Sequence, residues 1–345
     1  MNESKSFNSL YLLIVVCLAL ITGFTLGTSY KQEIEVTPSL EPQIAENGCI
    51  LISSLPYLIQ SSGHYCLTGT LTTDEHGISI LADNVLLDFN GYSIHGSQEP
   101  GNIFYGVYAN DQSNIHIRNG EITGFLYGIR IDDSSYSLNT PFESGWHTIE
   151  NMEILHSTFR GIAIIGNGNV IRNNSIRHIQ GSLIEENSFA IGIESAGPGA
   201  LIQNNYLYEI RGMGIADIGE GIGIAISENG DGSIITYNVI SNNSLEPSNL
   251  TDWEGLSRST WGIWVGGTSN VSVSYNQIHN YMNGIGFPHT TTDSLIYNNT
   301  IMGAYLPLSM DVLGSDVGDD EQAHTAVNNI CDYEDCFRGL ELIQP

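Results

Sequence analysis

At 345 residues, with 41% hydrophobic content and 38 glycines, the chain has the material for one ordered domain of many short strands and turns. Its net charge of −28 reflects a near absence of lysine, Lys5 and Lys31 being the only two. A field of that sign excludes nucleic acid, which needs a basic track to displace counterions, and repels free polyanionic glycans; the partners left are neutral, cationic or calcium-bridged.

In chain order, the first element is the apolar run Leu10–Gly27 behind Lys5. It reads as an export signal or an anchor. Cleavage is favoured by the weak charge before the run and by small Thr25 and Gly27 near its end, while about 18 apolar residues also reach the lower limit for spanning a bilayer. No stable membrane insertion is expected beyond residues 1–27. Residues 28–46 then read as a polar linker, 47–312 as the folded body and 313–345 as a terminal cap. Cys49 with Cys66, and Cys331 with Cys336, stand as two local pairs at opposite ends of the body. Four cysteines allow three connectivities; the local one is expected, as a pair of staples suited to an oxidising compartment. Neither pair has the second ligand doublet of a structural zinc site, so no metal is expected there. The location implied is secreted, periplasmic or cell-surface.

Within the body the chain repeats. VIRNNSI at 170–176 returns as LIQNNYL at 201–207 and LIYNNTI at 295–301. Each such heptad follows a short segment opening with Gly-Ile or Gly-Val, at Gly77, Gly106, Gly128, Gly161, Gly192, Gly223, Gly262 and Gly284. The closest of these openings lie about 22 residues apart and the others are stretched by insertions, which is a solenoid signature. One unit reads strand, turn, strand, asparagine turn, strand, as in GVYA, NIHIR and GEITGF. Period-2 alternation of β-branched residues, in a unit too short for paired helices, predicts an all-β parallel β-helix of about nine three-strand rungs. Asn174, Asn205, Asn238, Asn276 and Asn299 share one position in it, where stacked amides can bond along the coil at a ~4.8 Å strand spacing.

Through VLLDFNGYSIHG at 85–96, the Gly-Ile strands and the asparagine turns, the chain resembles the pectate-lyase-like superfamily of right-handed parallel β-helix proteins over residues 46–312. Its opening segment, from Cys49 through SLPYLI and GHYCLTGTL, looks like that of secreted β-helix repeat proteins. The resemblance implies a groove along the Gly-Ile strands, and with it a polysaccharide or surface glycan as partner. It includes lyases, hydrolases, epimerases and surface proteins that catalyse nothing, so fold alone does not assign activity.

The candidate site follows from alternation. Insertions at 132–146 and near 181–190, 211–220 and 241–260 border the Gly-Ile face, and loops gathered on one edge mark a functional surface. Tyr108, Asn110, Arg130, Asp132, Glu194, Ser227 and Trp264 should point outward, with small Ala163, Ala225 and Gly286 leaving room beside Glu194. Asp132 and Glu194, two rungs apart at on the order of 10 Å, are the candidate acid–base pair of a glycoside hydrolase, with Asp133 and Glu228 as substitutes. Tyr108, Arg130, Trp146, Trp261, Trp264 and His289 are candidate substrate contacts, since flat aromatic faces suit sugar rings as well as they anchor loops. His147 and His289 read first as solvated turn residues, with acid–base work as the alternative. No cofactor is implied; calcium is the one ion that Asp133, Glu228 and Asp231 could bind, though they match no EF-hand loop. Elimination is disfavoured because it needs a cation beside the uronate, and Arg130 is the sole arginine expected to face outward. The alternative reading is a non-catalytic surface or adhesion module. Glycine-rich 212–226 lacks the lysine and following helix of a phosphate loop.

Overall fold

The structure, a computed structural model, describes residues 43–45, 48–99, 101–136, 141–180, 190–211, 221–227, 229–243, 260–287, 291, 293–310, 325–332 and 336. The chain divides into residues 1–42 and 43–345, and all described residues belong to the second unit. No helix among them is long and apolar enough to cross a membrane. The leader, most of the linker, Glu228, His289, and most of the insertions near 181–190, 211–220 and 241–260 lie outside the described residues.

All strand pairing between rungs is parallel, and the strands wind into a right-handed β-helix. Ten strands stack as one sheet: Tyr57–Ile59, Ile78–Ile80, Tyr105–Asn110, Tyr127–Asp132, Arg160–Ile165, Ala190–Ala196, Gly221–Ile226, Thr260–Val265, Asn283–Phe287 and Leu306–Met310. This is the Gly-Ile sheet. The other strands of each rung form a single 19-stranded sheet, because two of them, Ile115–Thr123 and Thr148–Leu155, run through the asparagine corner without a break.

Isoleucine packs the interior in columns. Ile129, Ile162, Ile193, Ile224, Ile263 and Ile285 form one column, and Ile117, Ile149, Ile171, Ile202 and Ile235 another, every one fully buried. At ~1.5–3 kcal/mol per fully buried side chain, these columns are the main cohesive term of the coil.

The glycine at the start of eight of the ten strands of the first sheet marks a corner where two successive residues face inward. A Cβ at Gly106 would lie 2.5 Å from the Gly128 carbonyl oxygen and 2.5 Å from Cγ2 of Ile122; one at Gly223 would meet the Gly262 oxygen and Ile240 at the same distances. No side chain fits between stacked rungs there. One consequence is that the residue just before the glycine turns outward.

The asparagine ladder is continuous. Asn174, Asn205, Asn238 and Asn276 each donate backbone N–H and Nδ2–H to Oδ1 of the ladder residue one rung on, at 2.9–3.0 Å. Each Nδ2 also donates to a strand carbonyl, Ile202 in the case of Asn238 at 3.0 Å. The ladder runs past the expected body. Asn299 donates to Asn329 at 3.0 Å, and strands Thr325–Val327 and Ile330–Cys331 pair onto Leu295–Tyr297 and Thr300–Ile301. Stacked strands therefore continue beyond residue 312, the end expected for the body. Disulfides join Cys49 to Cys66 and Cys331 to Cys336, with Cα separations of 5.9 and 5.7 Å.

Acidic turn residues staple neighbouring rungs. Asp83 accepts from Ser113 N at 2.7 Å, Asp111 from Ser134 N at 2.6 Å, and Asp231 from Ser269 N and Oγ at 2.6 and 2.7 Å. These charge-assisted hydrogen bonds lie at exposed turns and hold them in register.

Candidate functional site

Two outward rows run along the Gly-Ile sheet. One lies two residues after the corner glycine, where register aligns Ser79, Tyr108, Arg130, Ala163, Glu194, Ala225, Trp264 and Gly286. The other lies just before the glycine: Tyr105, Tyr127, Arg160, Ile191, Ile222, Trp261 and Asn283. Simple alternation misses this second row, because it assumes no corner. Arg130 is accordingly not the only outward arginine; Arg160 stands beside it.

The two arginines organise the site into charge pairs. Arg130 Nε donates to Asp132 Oδ2 at 2.7 Å, and its guanidinium lies 4.7 Å from the Tyr127 ring centre and 5.5 Å from that of Tyr105. Arg160 Nε donates to Glu194 Oε2 at 3.0 Å over the face of Phe159, 3.6 Å from its centre. Ser227 Oγ donates to the other Glu194 oxygen at 3.4 Å. Tyr105 packs against Tyr108 and Tyr127 with ring centres 5.3 Å apart in both cases, so one end of the row is aromatic.

Burial pushes the Asp132 carboxyl up from its ordinary pKa; Arg130 opposes this, while the charges of Glu194 and Asp111 reinforce it. The Tyr108 hydroxyl is also pushed up, by burial and by the Asp132 charge. Register puts Glu194 in line with Arg130, whereas Asp132 stands two residues further along its strand.

Trp261 and Trp264 face outward and pack on Ile191, Ile222 and Ala225. The Trp261 ring covers Gly286 and the Trp264 ring covers Gly266, each so closely that a Cβ on the glycine would collide with it. The space expected beside Glu194 at Ala225 and Gly286 is therefore filled by indole, and Ala225 is 2% exposed.

Other expected residues fall elsewhere. Asp133 is buried, and its carboxylate accepts from Ser135 N, Glu143 N, Ser144 N and Ser144 Oγ at 2.8–3.0 Å. Burial opposes its charge, yet these donors hold its pKa below the usual carboxylate range, so it closes a turn and cannot stand in for Asp132. Asp231 has the same turn-stapling employment. Trp146 is exposed, but it sits at the corner before strand Thr148–Leu155, beside Gly168, and belongs to neither outward row. His147 is not a solvated turn residue. It is fully buried, accepts from Ile115 N at Nδ1 (3.3 Å), and burial pushes its pKa down to about 4. Such a group carries no proton to a substrate at neutral pH.

Among the described residues, the one cluster with metal-ligand chemistry is Cys49, His64 and Cys66. Its two thiols are joined as a disulfide, with His64 Nε2 3.3 Å from Cys66 Sγ, so the donor set is not free for a cation.

The family described as "Right handed beta helix region" matches residues 105–301. No curated protein matches the chain in sequence. Among solved structures, the chain is similar to the Eubacterium ramulus lacto-N-biosidase (11% identity, 80% of this chain and 62% of that one, TM-score 0.43). It is also similar to the catalytic domain of an alpha-1,3-glucanase in complex with nigerose (15%, 83% and 60%, 0.47). A third is the Streptococcus pneumoniae surface protein and adhesin PfbA (11%, 82% and 87%, 0.43). The chain spans less than two thirds of the first two. These likenesses are of fold, and no activity is taken from them.

Proposed function

The chain belongs to the right-handed β-helix family, and from that premise we propose that it is an exported protein that binds and hydrolyses a neutral or calcium-bridged polysaccharide laid along its Gly-Ile sheet. The supporting observation is the order of groups on that sheet: tyrosines 105, 108 and 127 at one end, Trp261 and Trp264 at the other, and two arginine–carboxylate pairs between them. Aromatic faces take the C–H faces of sugar rings, and the charged pairs take hydroxyls. Asp132, the carboxyl whose pKa is raised, acts as general acid. Glu194 acts as general base, and the two-rung spacing, with one rung between them, leaves room for the water that an inverting mechanism needs.

The full chain would be incubated with a panel of neutral plant, algal and bacterial glycans and assayed for new reducing ends. Asp132→Asn and Glu194→Gln are each expected to lower the rate at least ~100-fold, the scale of one acid–base group, with the fold intact. The wild-type rate should fall as pH rises through the elevated pKa of Asp132, where the acid loses its proton. Product release indifferent to both substitutions would refute the catalytic pair.

A non-catalytic binding module is the second reading. It is favoured by the fact that each carboxylate is already paired with its own arginine and that the two stand out of line by two residues. Glycan binding that survives both substitutions, with no reducing ends formed, would establish it.

A further inference from the structure

One corner of the 19-stranded sheet carries an outward row of its own. At the asparagine corner of each of these rungs one residue holds the left-handed conformation and turns its side chain outward. In five rungs this corner residue is Asn90, Asn119, Asn151, Asn173 and Asn204, with φ between 53° and 60°; in the three earlier rungs Gly91, Gly120 and Met152 stand where the ladder asparagine stands later. Along this corner runs an open trough of about 710 Å³, lined by Asn119, Asn151, Asn173 and Asn204, with Glu153 on its wall and Tyr206 at its lip. It crosses five rungs, so at ~4.8 Å per rung it is about 19 Å long, the reach of a short oligosaccharide. Beyond Tyr206 the corner changes character. Tyr237 and Tyr275 occupy the left-handed position in the next two rungs, with φ of 56° and 55°.

Asparagine tolerates that backbone because its short amide bonds locally, whereas a bulky side chain there is a true outlier. The two rings are stacked at 4.9 Å and 4°, Tyr297 meets Tyr275 edge-on at 5.4 Å, and Tyr237 and Tyr275 remain 52% and 42% exposed. Exposed Ile234 and Leu295 flank them. The fold alone favours the amide found in the other rungs, so costly, water-exposed aromatics in two successive rungs point to a ligand.

We propose that this corner is a second glycan-binding track, separate from the Gly-Ile sheet: amides of the trough take hydroxyl groups and the Tyr237–Tyr275 platform takes a sugar face. The charge selects the class. No lysine or arginine lines the trough, while Glu121 and Glu153 do, Glu153 being paired with Arg177, so the lining suits a neutral, hydroxyl-rich chain and offers a uronate no cation.

Affinity electrophoresis of the full chain through gels containing soluble neutral β-glucan, α-glucan, xylan or mannan, with polygalacturonate as the acidic control, tests this directly. The parent should be retarded by at least one neutral glycan and not by polygalacturonate. Tyr237→Asn with Tyr275→Asn, which restores the amide the corner prefers and so keeps the fold, should weaken that retardation at least tenfold. Trp261→Ala with Trp264→Ala, which alters only the Gly-Ile sheet, should leave residual retardation that the tyrosine pair then abolishes. No retardation of the parent by any neutral glycan, or full retardation of the tyrosine variant, would overturn the second track. Loss of all binding in the tryptophan variant alone would also overturn it and assign recognition to the Gly-Ile sheet.

Discussion

Gly161→Ala joins fold to site in a single methyl group. The added Cβ would lie 2.5 Å from the Gly192 carbonyl oxygen and 2.7 Å from Cγ2 of Ile176, where contacts need roughly 3.5 Å. Neither neighbour yields easily. The carbonyl belongs to backbone of the next rung, and Ile176 is fully buried. A methylene forced into a packed interior costs about 1–3 kcal/mol, and two close contacts, one with backbone, put this case near the top of that range. For a domain of this size ~3 kcal/mol lowers the midpoint of thermal unfolding by about 5–10 °C. Gly69→Ala is the control, since its Cβ meets nothing within 4 Å and its φ is not left-handed; it should stay within ~0.5 kcal/mol of the parent. Thermal and urea midpoints of the two variants, read by circular dichroism, decide the matter. Because Arg160 precedes the altered residue, glycan binding on the Gly-Ile sheet should weaken as well. Equal midpoints for the two variants would refute the claim that the corner row excludes side chains.

Asn238→Ala removes the acceptor for Asn205 N–H and Nδ2–H and a donor to Ile202. Buried groups left unpaired cost ~1–3 kcal/mol each, so a loss of about 3 kcal/mol is expected in urea unfolding, with Asn173→Gly at an exposed corner nearly neutral. His147 should make the coil acid-sensitive. Its folded pKa is about 4, against an ordinary 6.5, so as pH falls from 6.5 towards 4 the unfolded chain takes up a proton that the folded one refuses. Stability is full above 6.5 and falls by about 3 kcal/mol across that window. His147→Asn should flatten the dependence in urea midpoints measured from pH 7 to 4.

The coil itself was legible because its signals are periodic. Glycine openings, asparagine pairs and alternating isoleucines each recur once per rung, and a coil is the arrangement in which all three coincide. The outward row through Tyr108, Arg130 and Glu194 followed from the same alternation. What alternation could not supply was the corner at each glycine, where the period slips by one residue; Tyr105, Tyr127 and Arg160 were lost with it, and so was the partner of Glu194. A glycine directly after Tyr, Tyr and Arg in successive rungs is the signal that could have recovered them. Asp133 misled for a different reason. Its hydrogen-bond donors at 143–144 lie across an insertion, and no local pattern announces that such a loop returns to cap a carboxylate. His147 likewise follows an exposed tryptophan, so its neighbours along the chain gave no hint of its burial.

The amide ladder has a direction. From Asn174 to Asn299 every member donates its backbone N–H and one Nδ2–H to the amide oxygen of the later rung, so the dipoles add head to tail and each link polarises the next. The two ends of the stack are chemically unlike, in the manner of a polar filament. A coil cut back from its C-terminal side strips the partner from two donors, a backbone N–H and an Nδ2–H, whereas one cut from the other side frees a single acceptor oxygen. Shortened versions of this protein should consequently tolerate loss of early rungs better than loss of late ones.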